Sequence, residues 1–466
     1  MLHQVNKLQF EATCATEVQA FQLRHNFSSA RQAEIAAIID KVCSQYVGED
    51  EWIQIDRVEV DLEYFDMHAF ENIFTSLLQE KMEKSISKKI SAIPHAERAV
   101  SKQAAYLEIL TWFLQTGSLP WWAEETINTD DVFIQVAEQK KEALHLFLQQ
   151  QSKVDTIWKR IAMQFDETVQ QKIISWFPEL LLAQKKMEHW FTLFPIEKIN
   201  KQPGSFFSPG AIKKRDQFIL LHAPQFFSVA QQKYITTALI EAFANEFKTV
   251  MYQDIPVSAI VEKIMVNEQE IQNIAGPLVN TIDQPGEAEA ETNDPAEVII
   301  AEKFTVHTAG TVLLAPYFRQ LFTQLNFLEH GEWKNAEAHY KAIHLIKFMA
   351  TGQLMCAEHT LLMEKLLCGM EITAPIPREV ILTDGEKDEA TALLKAVISN
   401  WSKLKNTSIE GLRETFLKRE GILTKKDSGW LLQVEKKTAD VLLESIPWSY
   451  STLAFSWTNY IIFTEW

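Results

Sequence analysis

The chain has little glycine, and the glycines that it has are scattered. Only 14 of its 466 residues are glycine, and neither G-x-x-x-x-G-K-[ST] nor G-x-G-x-x-G occurs. A phosphate-binding loop needs clustered glycines that let backbone N–H groups approach the anion, so ATPase and dinucleotide-binding classes are excluded. The H-E-x-x-H, C-x-x-C and G-x-S-x-G patterns are missing as well. The sequence therefore predicts no enzyme activity, no cofactor, no bound metal and no small-molecule substrate.

The chain also has fewer positive than negative charges, and it has no long apolar run. Lys and Arg number 45 against 62 Asp and Glu, which leaves a formal net charge of −17. Such a chain repels phosphate backbones, and no dense Lys/Arg cluster offsets the mean charge, so nucleic acid is not an expected partner. No uninterrupted apolar run reaches the ~18 residues of a membrane span, and the first residues lack a signal-peptide pattern. We expect cytoplasmic assembly without membrane insertion.

Cysteine is rare, and no arrangement of cysteine or histidine matches a known catalytic or metal site. Because a chain of this length needs no disulfide staples, Cys14, Cys43, Cys356 and Cys368 are predicted to be buried free thiols in a reducing compartment. Cys356 lies three residues before His359, but no third group orients such a thiol–base pair, and a structural role is the stronger interpretation.

The nearest approach to a metal cluster is Glu337, His339 and His344. Histidines five residues apart on a helix diverge by more than about 100°. We interpret the three as ordinary surface or partly buried side chains.

Apolar and aromatic residues, in contrast, are abundant, with 28 Phe and 13 Trp. Over most of the chain they recur at three- and four-residue spacing, which predicts amphipathic helices interrupted by prolines. We predict a mainly α fold: an array of short antiparallel helices, with small β elements near the N- and C-termini. The predicted helical stripes are 35–46, 67–90, 104–115, 132–150, 154–165, 169–183, 214–222, 231–249, 256–273, 311–327, 335–350, 358–368, 387–404 and 408–419.

Alternating patterns near the two ends predict the strands. Residues 4–10 and 52–62 alternate, and the alternation slips by one at residues 56–57, which predicts a β-bulge. Near the C-terminus, 422–424 and 430–434 flank a turn-forming Lys-Lys-Asp-Ser-Gly segment and predict a hairpin with a loop of about five residues. Residues 452–466 predict one further strand.

An acidic stretch divides the helical region. The segment DQPGEAEAETNDPAE has six acidic residues, no basic residue and two prolines, which is typical of a flexible linker. We therefore predict four segments: an N-terminal β-α-β unit at 1–65, a helical domain at 66–276, a linker at 277–300, and a C-terminal helical domain at 301–466 that ends in a hairpin and a strand.

One short pattern occurs twice, as F-x-x-T-G-x-L at 113–119 and at 348–354. In each copy the glycine, Gly117 or Gly352, follows an apolar helix and is predicted to be its left-handed cap. Seven positions are too few to distinguish an ancestral repeat from two chance occurrences of the same helix-capping pattern. Both interpretations are kept.

Two Pro-Trp segments are the candidate interaction sites. Trp121 and Trp122 directly follow a predicted helix end, and Trp448 repeats the Pro-Trp pair near the C-terminus. An exposed tryptophan would act as an interface anchor, whereas a buried one would fill the core, which is the commoner role at such positions.

Several blocks of the sequence resemble the tape measure proteins of contractile injection systems. They are the opening H-x-V-x-K-L-x-F, the segment 53–62, the helix end 113–123, and a C-terminal series at 344–352, 366–369, 404–408, 411–419 and 447–449. The resemblance implies a structural or assembly component of a phage-tail-like particle, associated with tube length or tube assembly and contacting tube, cap, sheath or baseplate proteins.

Two alternatives remain beside this expectation. The first is that the chain does not measure tube length while it is folded. A molecular ruler measures by its extended length, and 466 residues in one helix would reach about 700 Å, but prolines and amphipathic segments predict compact folding instead. The chain could unfold into the tube lumen, or it could be an adaptor or assembly chaperone at the cap or baseplate end. The second alternative is an unrelated helical-repeat scaffold that binds proteins.

Overall fold

The fold is mainly α-helical, as the sequence predicted. The computed structural model describes residues 5, 8–26, 29–46, 51–53, 55, 57–64, 70–92, 100–194, 209–228, 236–251, 255–275 and 303–466. In this part of the chain, no helix combines the length and apolar character that a membrane crossing needs. The described α-helices are α1 (Glu17–Asn26), α2 (Ser29–Cys43), α3 (Phe70–Ala92), α4 (Lys102–Thr116), α5 (Thr129–Gln139), α6 (Lys141–Gln150), α7 (Asp155–Gln164), α8 (Glu167–Trp176), α9 (Pro178–Thr192), α10 (Pro209–Leu221), α11 (Ala223–Phe226), α12 (Thr237–Met251), α13 (Val257–Ala275), α14 (Ala315–Gln324), α15 (Ala336–Thr351), α16 (Leu362–Leu367), α17 (Asp384–Asn400) and α18 (Ile409–Leu412).

Short helical turns and strands complete the described secondary structure. The 3₁₀ segments are Ala309–Leu314, Glu358–Thr360, Ser402–Leu404 and Thr438–Ser445, and Arg413–Leu417 is a π-turn. The strands are β1 (Glu51–Trp52), β2 (Val100–Ser101), β3 (Lys303–Val306), β4 (Leu328–Glu329), β5 (Glu332–Trp333), β6 (Gly421–Lys426), β7 (Gly429–Val434), β8 (Thr452–Leu453) and β9 (Ile461–Glu465).

The predicted stripe 169–183 is divided between two helices, α8 and α9, and the division lies at Pro178. The Asp166 carboxylate accepts a hydrogen bond from the Val169 backbone N–H at 2.9 Å and so caps α8. Pro178 lies in the first turn of α9. Because proline has no N–H to continue α8, the chain ends one helix and begins the next at this position.

The described chain forms two compact units. One comprises Met1–Leu110, Pro120–Ile127 and Gln135–Lys141, and the other comprises Thr111–Leu119, Asn128–Ile134 and Glu142–Trp466. We name them the first unit and the second unit. The core of the first unit is formed by apolar side chains of α2 and α3, and these are Ile35, Ile38, Val42, Phe74, Leu78, Met82 and Ile86.

The first unit has less β structure than the alternation at 52–62 predicted. β1 pairs with β2 over only two residues, and residues 57–64 carry no regular structure. The side chains of Val58, Val60 and Leu62 pack against the α2–α3 core, so helices rather than a partner strand cover their apolar face. Residues 54 and 56, and with them part of the predicted bulge, lie outside the described residues. Residues 5 and 8–10 of the other predicted strand carry no regular structure.

The second unit contains a five-stranded sheet with the order β3-β6-β7-β9-β8. The predicted hairpin is confirmed as β6 and β7, but its turn has two residues rather than five, because Lys425 and Lys426 pair with Trp430 and Gly429. The predicted strand at 452–466 is two strands, β8 and β9, and β9 lies parallel to β7. One face of this sheet packs into the core of the second unit through Phe304, Leu423, Leu432 and Ile462.

The predicted linker at 277–300 lies outside the described residues. The second unit includes residues on both sides of it, from α6 to α13 and from β3 to β9. The division of the chain into four segments, with boundaries at 65, 276 and 300, stays a prediction.

Candidate functional site

Three fully buried charged side chains meet in the second unit. Arg160 lies on α7, whose buried face also carries Ile157 and Ile161. Glu358 begins the 3₁₀ turn Glu358–Thr360, and Lys365 lies on α16. The Arg160, Glu358 and Lys365 side chains are each 0% exposed. Buried charges are tolerated in proteins only when they are paired and hydrogen-bonded.

Arg160 binds both the carboxylate and the end of a helix. Its Nε and Nη2 atoms donate to Glu358 Oε2 and Oε1 at 2.8 and 3.1 Å, a bidentate pair. Nη1 donates to the backbone carbonyl of Leu114 in the last turn of α4 at 2.6 Å, and Nη2 also donates to the carbonyl of Thr373. The guanidinium therefore joins α4, α7, the Glu358 turn and the loop after α16.

Lys365 completes the network from the other side of the carboxylate. Its Nζ donates to Glu358 Oε1 at 2.7 Å and to the carbonyls of Ile372 and Ala374 at 3.0 and 2.7 Å. Burial lowers the pKa of Lys365 to about 8, and the Glu358 carboxylate opposes that shift. Because all three ammonium hydrogens are directed at protein oxygens, the arrangement is suited to holding backbone segments together.

Two further contacts extend the network. The Glu358 backbone N–H donates to Gln164 Oε1 at 2.9 Å, and Gln164 Nε2 donates to the Ile376 carbonyl at 2.6 Å. The Arg378 backbone N–H donates to the Met163 carbonyl at 3.0 Å. The C-terminal turn of α7 is thus hydrogen-bonded along the loop that follows α16.

The two copies of F-x-x-T-G-x-L have the same geometry. Gly117 and Gly352 have φ values of +73° and +78°, which confirms both predicted left-handed caps. In each copy the glycine N–H donates to the carbonyl of the phenylalanine four residues earlier at 2.8 Å. An arginine binds the same helix end in each case: Arg160 in the first copy, and in the second Arg413, which donates to the carbonyls of Phe348 and Met349.

The sequence interpretation did not identify Arg160, Glu358, Lys365 or Arg413. The adjacent Glu364 and Lys365 interrupt an otherwise apolar helix, Leu362–Leu367, and this was the available signal for buried charge. Nothing in the spacing of residues indicated that Arg160 would be the partner of Glu358.

The three residues of the weak metal pattern contact different partners. Glu337 is exposed and lies 3.7 Å from Lys341 Nζ. His339 stacks on Trp333 with ring centroids 4.6 Å apart. His344 lies 2.9 Å, through Nε2, from the Pro377 carbonyl. Glu337 is exposed and His339 partly buried, whereas His344 is 1% exposed, so the expectation of a surface or partly buried side chain is wrong for His344.

The cysteines are free, but only two of them are buried. Cys356 and Cys368 are buried, whereas Cys14 and Cys43 are partly exposed, so the prediction that all four are buried is wrong for these two. Burial raises the pKa of Cys356 to about 11, so its thiol stays protonated at neutral pH. The ring of His359 packs edge-on against Phe113, with centroids 6.1 Å apart.

The three candidate interaction tryptophans differ in exposure. Trp121 is 44% exposed and Trp122 is half-buried. Trp448 is also half-buried, donates from Nε1 to the Leu313 carbonyl at 3.0 Å and packs edge-on against Tyr317. Their role as interface anchors stays a prediction.

The buried imidazole of His344 predicts a pH dependence of stability. Burial lowers its pKa to about 4, from an ordinary value of 6.5. The unfolded chain therefore binds more protons between these values, so His344 contributes stability above pH 6.5 that is lost as the pH falls towards 4, up to about 3 kcal/mol. We expect His344→Gln to lose less stability than the wild type between pH 7 and 4.5, measured by urea unfolding.

His330, which is exposed, supplies the control for this measurement. The His330→Asn variant should fold like the wild type, since asparagine also tolerates the left-handed backbone at this position. Its stability should then depend on pH as that of the wild type does. Parallel pH profiles of the wild type and His344→Gln would contradict the assignment.

The fold and this network define a mainly α-helical protein whose buried charges join helices and loops. A family model for contractile injection system tape measure proteins matches residues 2–466. The chain belongs to this family, and its role is therefore a structural or assembly role in an injection particle. The result decides against an unrelated helical-repeat scaffold. A comparison with curated proteins and one with solved structures gave no match.

Proposed function

We propose that the chain promotes tube assembly in its folded state, as an adaptor or assembly component at one end of the tube, and that it does not measure tube length by its own extension. The observation that carries this proposal is the buried Arg160–Glu358–Lys365 network. It joins residues 198 positions apart in the sequence, and an extended chain would have to break it.

The arithmetic of helix length supports the same conclusion. The longest helix among the described residues, α3, has 23 residues and spans about 35 Å at ~1.5 Å per residue. A ruler of 466 residues in one helix would be about 700 Å long. Reaching that length would require the second unit to unfold, with buried charges exposed.

We propose tube, cap, sheath or baseplate proteins as the partners. The net charge of −17 favours association with more basic surfaces, at rates that fall with added salt. Apolar anchors such as Trp121, Trp122 and Trp448 would supply residence time once the surfaces meet.

Particle length distinguishes a folded assembly component from a ruler. We would insert about 60 Gly/Ser residues into the acidic segment DQPGEAEAETNDPAE, residues 283–297, and measure particles by electron microscopy. A ruler would lengthen the tube by about 90 Å if the insert were helical and by at most about 200 Å if it were fully extended, whereas we expect the length distribution to stay unchanged. Deleting the gene should lower the number of complete particles. A proportional gain in length, or normal particles without the gene, would contradict the proposal.

Trp122 is the anchor residue to test first, because it directly follows the exposed Trp121. We expect Trp122→Ala to lower the yield of assembled particles by about tenfold, since a truncated aromatic anchor typically costs that much in affinity, and to leave the thermal unfolding transition unchanged. Trp158, which is 0% exposed, is the matched control. Trp158→Ala should lower the temperature of the thermal unfolding transition markedly.

The two measurements together decide the role of Trp122. Loss of the cooperative transition in Trp122→Ala would identify it as a core residue. Normal assembly with normal melting would remove it from the proposed contact surface.

A further inference from the structure

The five-stranded sheet of the second unit presents one face to the core and the other to solvent. Along β9, side chains alternate between exposed and buried, so that Ile461, Phe463 and Glu465 point away from the core. Residues that are paired across a sheet point to the same side. The register therefore puts Leu431, paired with Phe463, and Ile422, paired with Gln433, on the solvent side as well. We name this side the outer face.

The outer face carries a contiguous apolar strip. Ile461 and Phe463 are 37% and 40% exposed, and Leu431 and Ile422 are partly buried. Single exposed apolar residues are ordinary, but a patch that continues across three neighbouring strands is a candidate interaction surface.

Opposite charges lie on the two sides of the apolar strip. Exposed Lys426 lies at the hairpin end of β6, and exposed Glu465 lies at the other end of β9. Lys303 of β3, also exposed, adds to the positive side. The outer face thus has a basic end, an apolar middle and an acidic end.

The register places Leu431 midway between the two charges. From Leu431, Lys426 lies one strand away and two residues along in one direction, because Leu431 pairs with Thr424. Glu465 lies one strand away and two residues along in the opposite direction, because Leu431 pairs with Phe463. With ~4.8 Å between strands and ~3.3 Å per residue, the two charged residues are about 16 Å apart with Leu431 at the centre.

We propose that the outer face binds a second copy of this chain. A two-fold axis through Leu431 brings Lys426 of each copy onto Glu465 of the other and superimposes the two apolar strips. Such an isologous contact needs a surface that is complementary to itself, which the midpoint position of Leu431 provides. The strands of the two sheets then cross at a steep angle, within the range of orthogonal sheet packing.

The size of the face determines how strong this contact is. Five strands of about five residues cover about 24 by 17 Å, or roughly 400 Å² on each copy. This is half of the ~800 Å² per partner of a standard stable interface. We therefore expect a dimer that forms in the range of tens of micromolar and that dissociates as salt is added.

The test is self-association of the full chain, measured by sedimentation velocity from about 1 to 200 μM at low and high salt. The wild type should dimerise with rising concentration. Lys426→Glu and Glu465→Lys should each weaken dimerisation at least tenfold, because each places like charges opposite one another. The double variant Lys426→Glu/Glu465→Lys should restore it, since both charges are exchanged and the two-fold pairing is re-formed.

Controls separate this contact from general charge effects and from misfolding. Lys405→Glu makes the same charge change at an exposed position outside the sheet and should dimerise like the wild type. Leu431→Lys should be monomeric at all concentrations with an unchanged thermal transition. A wild type that stays monomeric, a double variant that is not restored, or a Lys405→Glu variant as weak as Lys426→Glu would each overturn the proposal.

Discussion

Glu358→Gln should lower the free energy of unfolding of the second unit by about 3–5 kcal/mol. The substitution keeps the size of the side chain but removes the negative charge, so the Arg160 guanidinium and the Lys365 ammonium stay buried without their carboxylate. Because an uncompensated buried charge costs several kcal/mol, the effect should be far larger than the loss of one hydrogen bond. Urea unfolding followed by tryptophan fluorescence measures it.

An exposed pair supplies the matched control. Glu414 and Lys418 form an ion pair on the surface, with side chains 59% and 34% exposed. Glu414→Gln should therefore lower the free energy of unfolding far less than Glu358→Gln does. The double variant Glu358→Gln/Lys365→Met should regain part of the loss, because it removes one of the two stranded cations. Equal costs for Glu358→Gln and Glu414→Gln would show that the buried network does not stabilise the fold.

Gly117→Ala should be far more damaging than the same change at the second copy of this helix cap, Gly352. The φ of +73° is strained for any residue with a Cβ, at about 1–2 kcal/mol. A methyl group there would also overlap Glu358 Oε1 and lie 2.9 Å from Arg160 Nη2. Since neither group can move without breaking the buried ion pair, we expect a total loss of about 4 kcal/mol or more.

Gly352 allows the two contributions to be separated. It has nearly the same φ, +78°, but a methyl group there would meet only the Arg413 guanidinium at 3.1 Å. The Arg413 side chain is 14% exposed, and a contact of this length needs it to shift by only a few tenths of an ångström. Gly352→Ala should therefore cost only the backbone strain, about 1–2 kcal/mol. Thermal unfolding of both variants measures the difference, and equal costs would contradict the proposed clash with the ion pair.

The helix caps illustrate what the sequence predicted correctly. Thr-Gly at the end of an apolar stripe predicted a left-handed residue at 117 and at 352, and both are present. This succeeds because the signal is local: glycine is favoured wherever φ must be positive, whatever packs around it. The hairpin at 421–434 was predictable for the same reason, although its exact turn was not.

The N-terminal alternation illustrates where such prediction fails. Val58, Val60 and Leu62 alternate as in a strand, yet they pack on helices. A period of two identifies one apolar face but does not say what covers it. Whether a strand forms depends on a partner strand, and among the described residues β2 pairs with only two residues of this segment.

The sequence by itself determined the helical class of the protein, its left-handed helix caps at Gly117 and Gly352, its acidic character and its family. Periodicity, backbone preference, charge and family blocks are all properties of the order of residues along the chain. Only the tertiary structure decided that Arg160 and Glu358 are partners, and that Leu431 lies midway between Lys426 and Glu465. The physical reason is distance along the chain: the ion pair joins residues 198 positions apart, and the outer face depends on the register of strands that are distant in sequence. Packing creates such neighbours, and no local pattern specifies them.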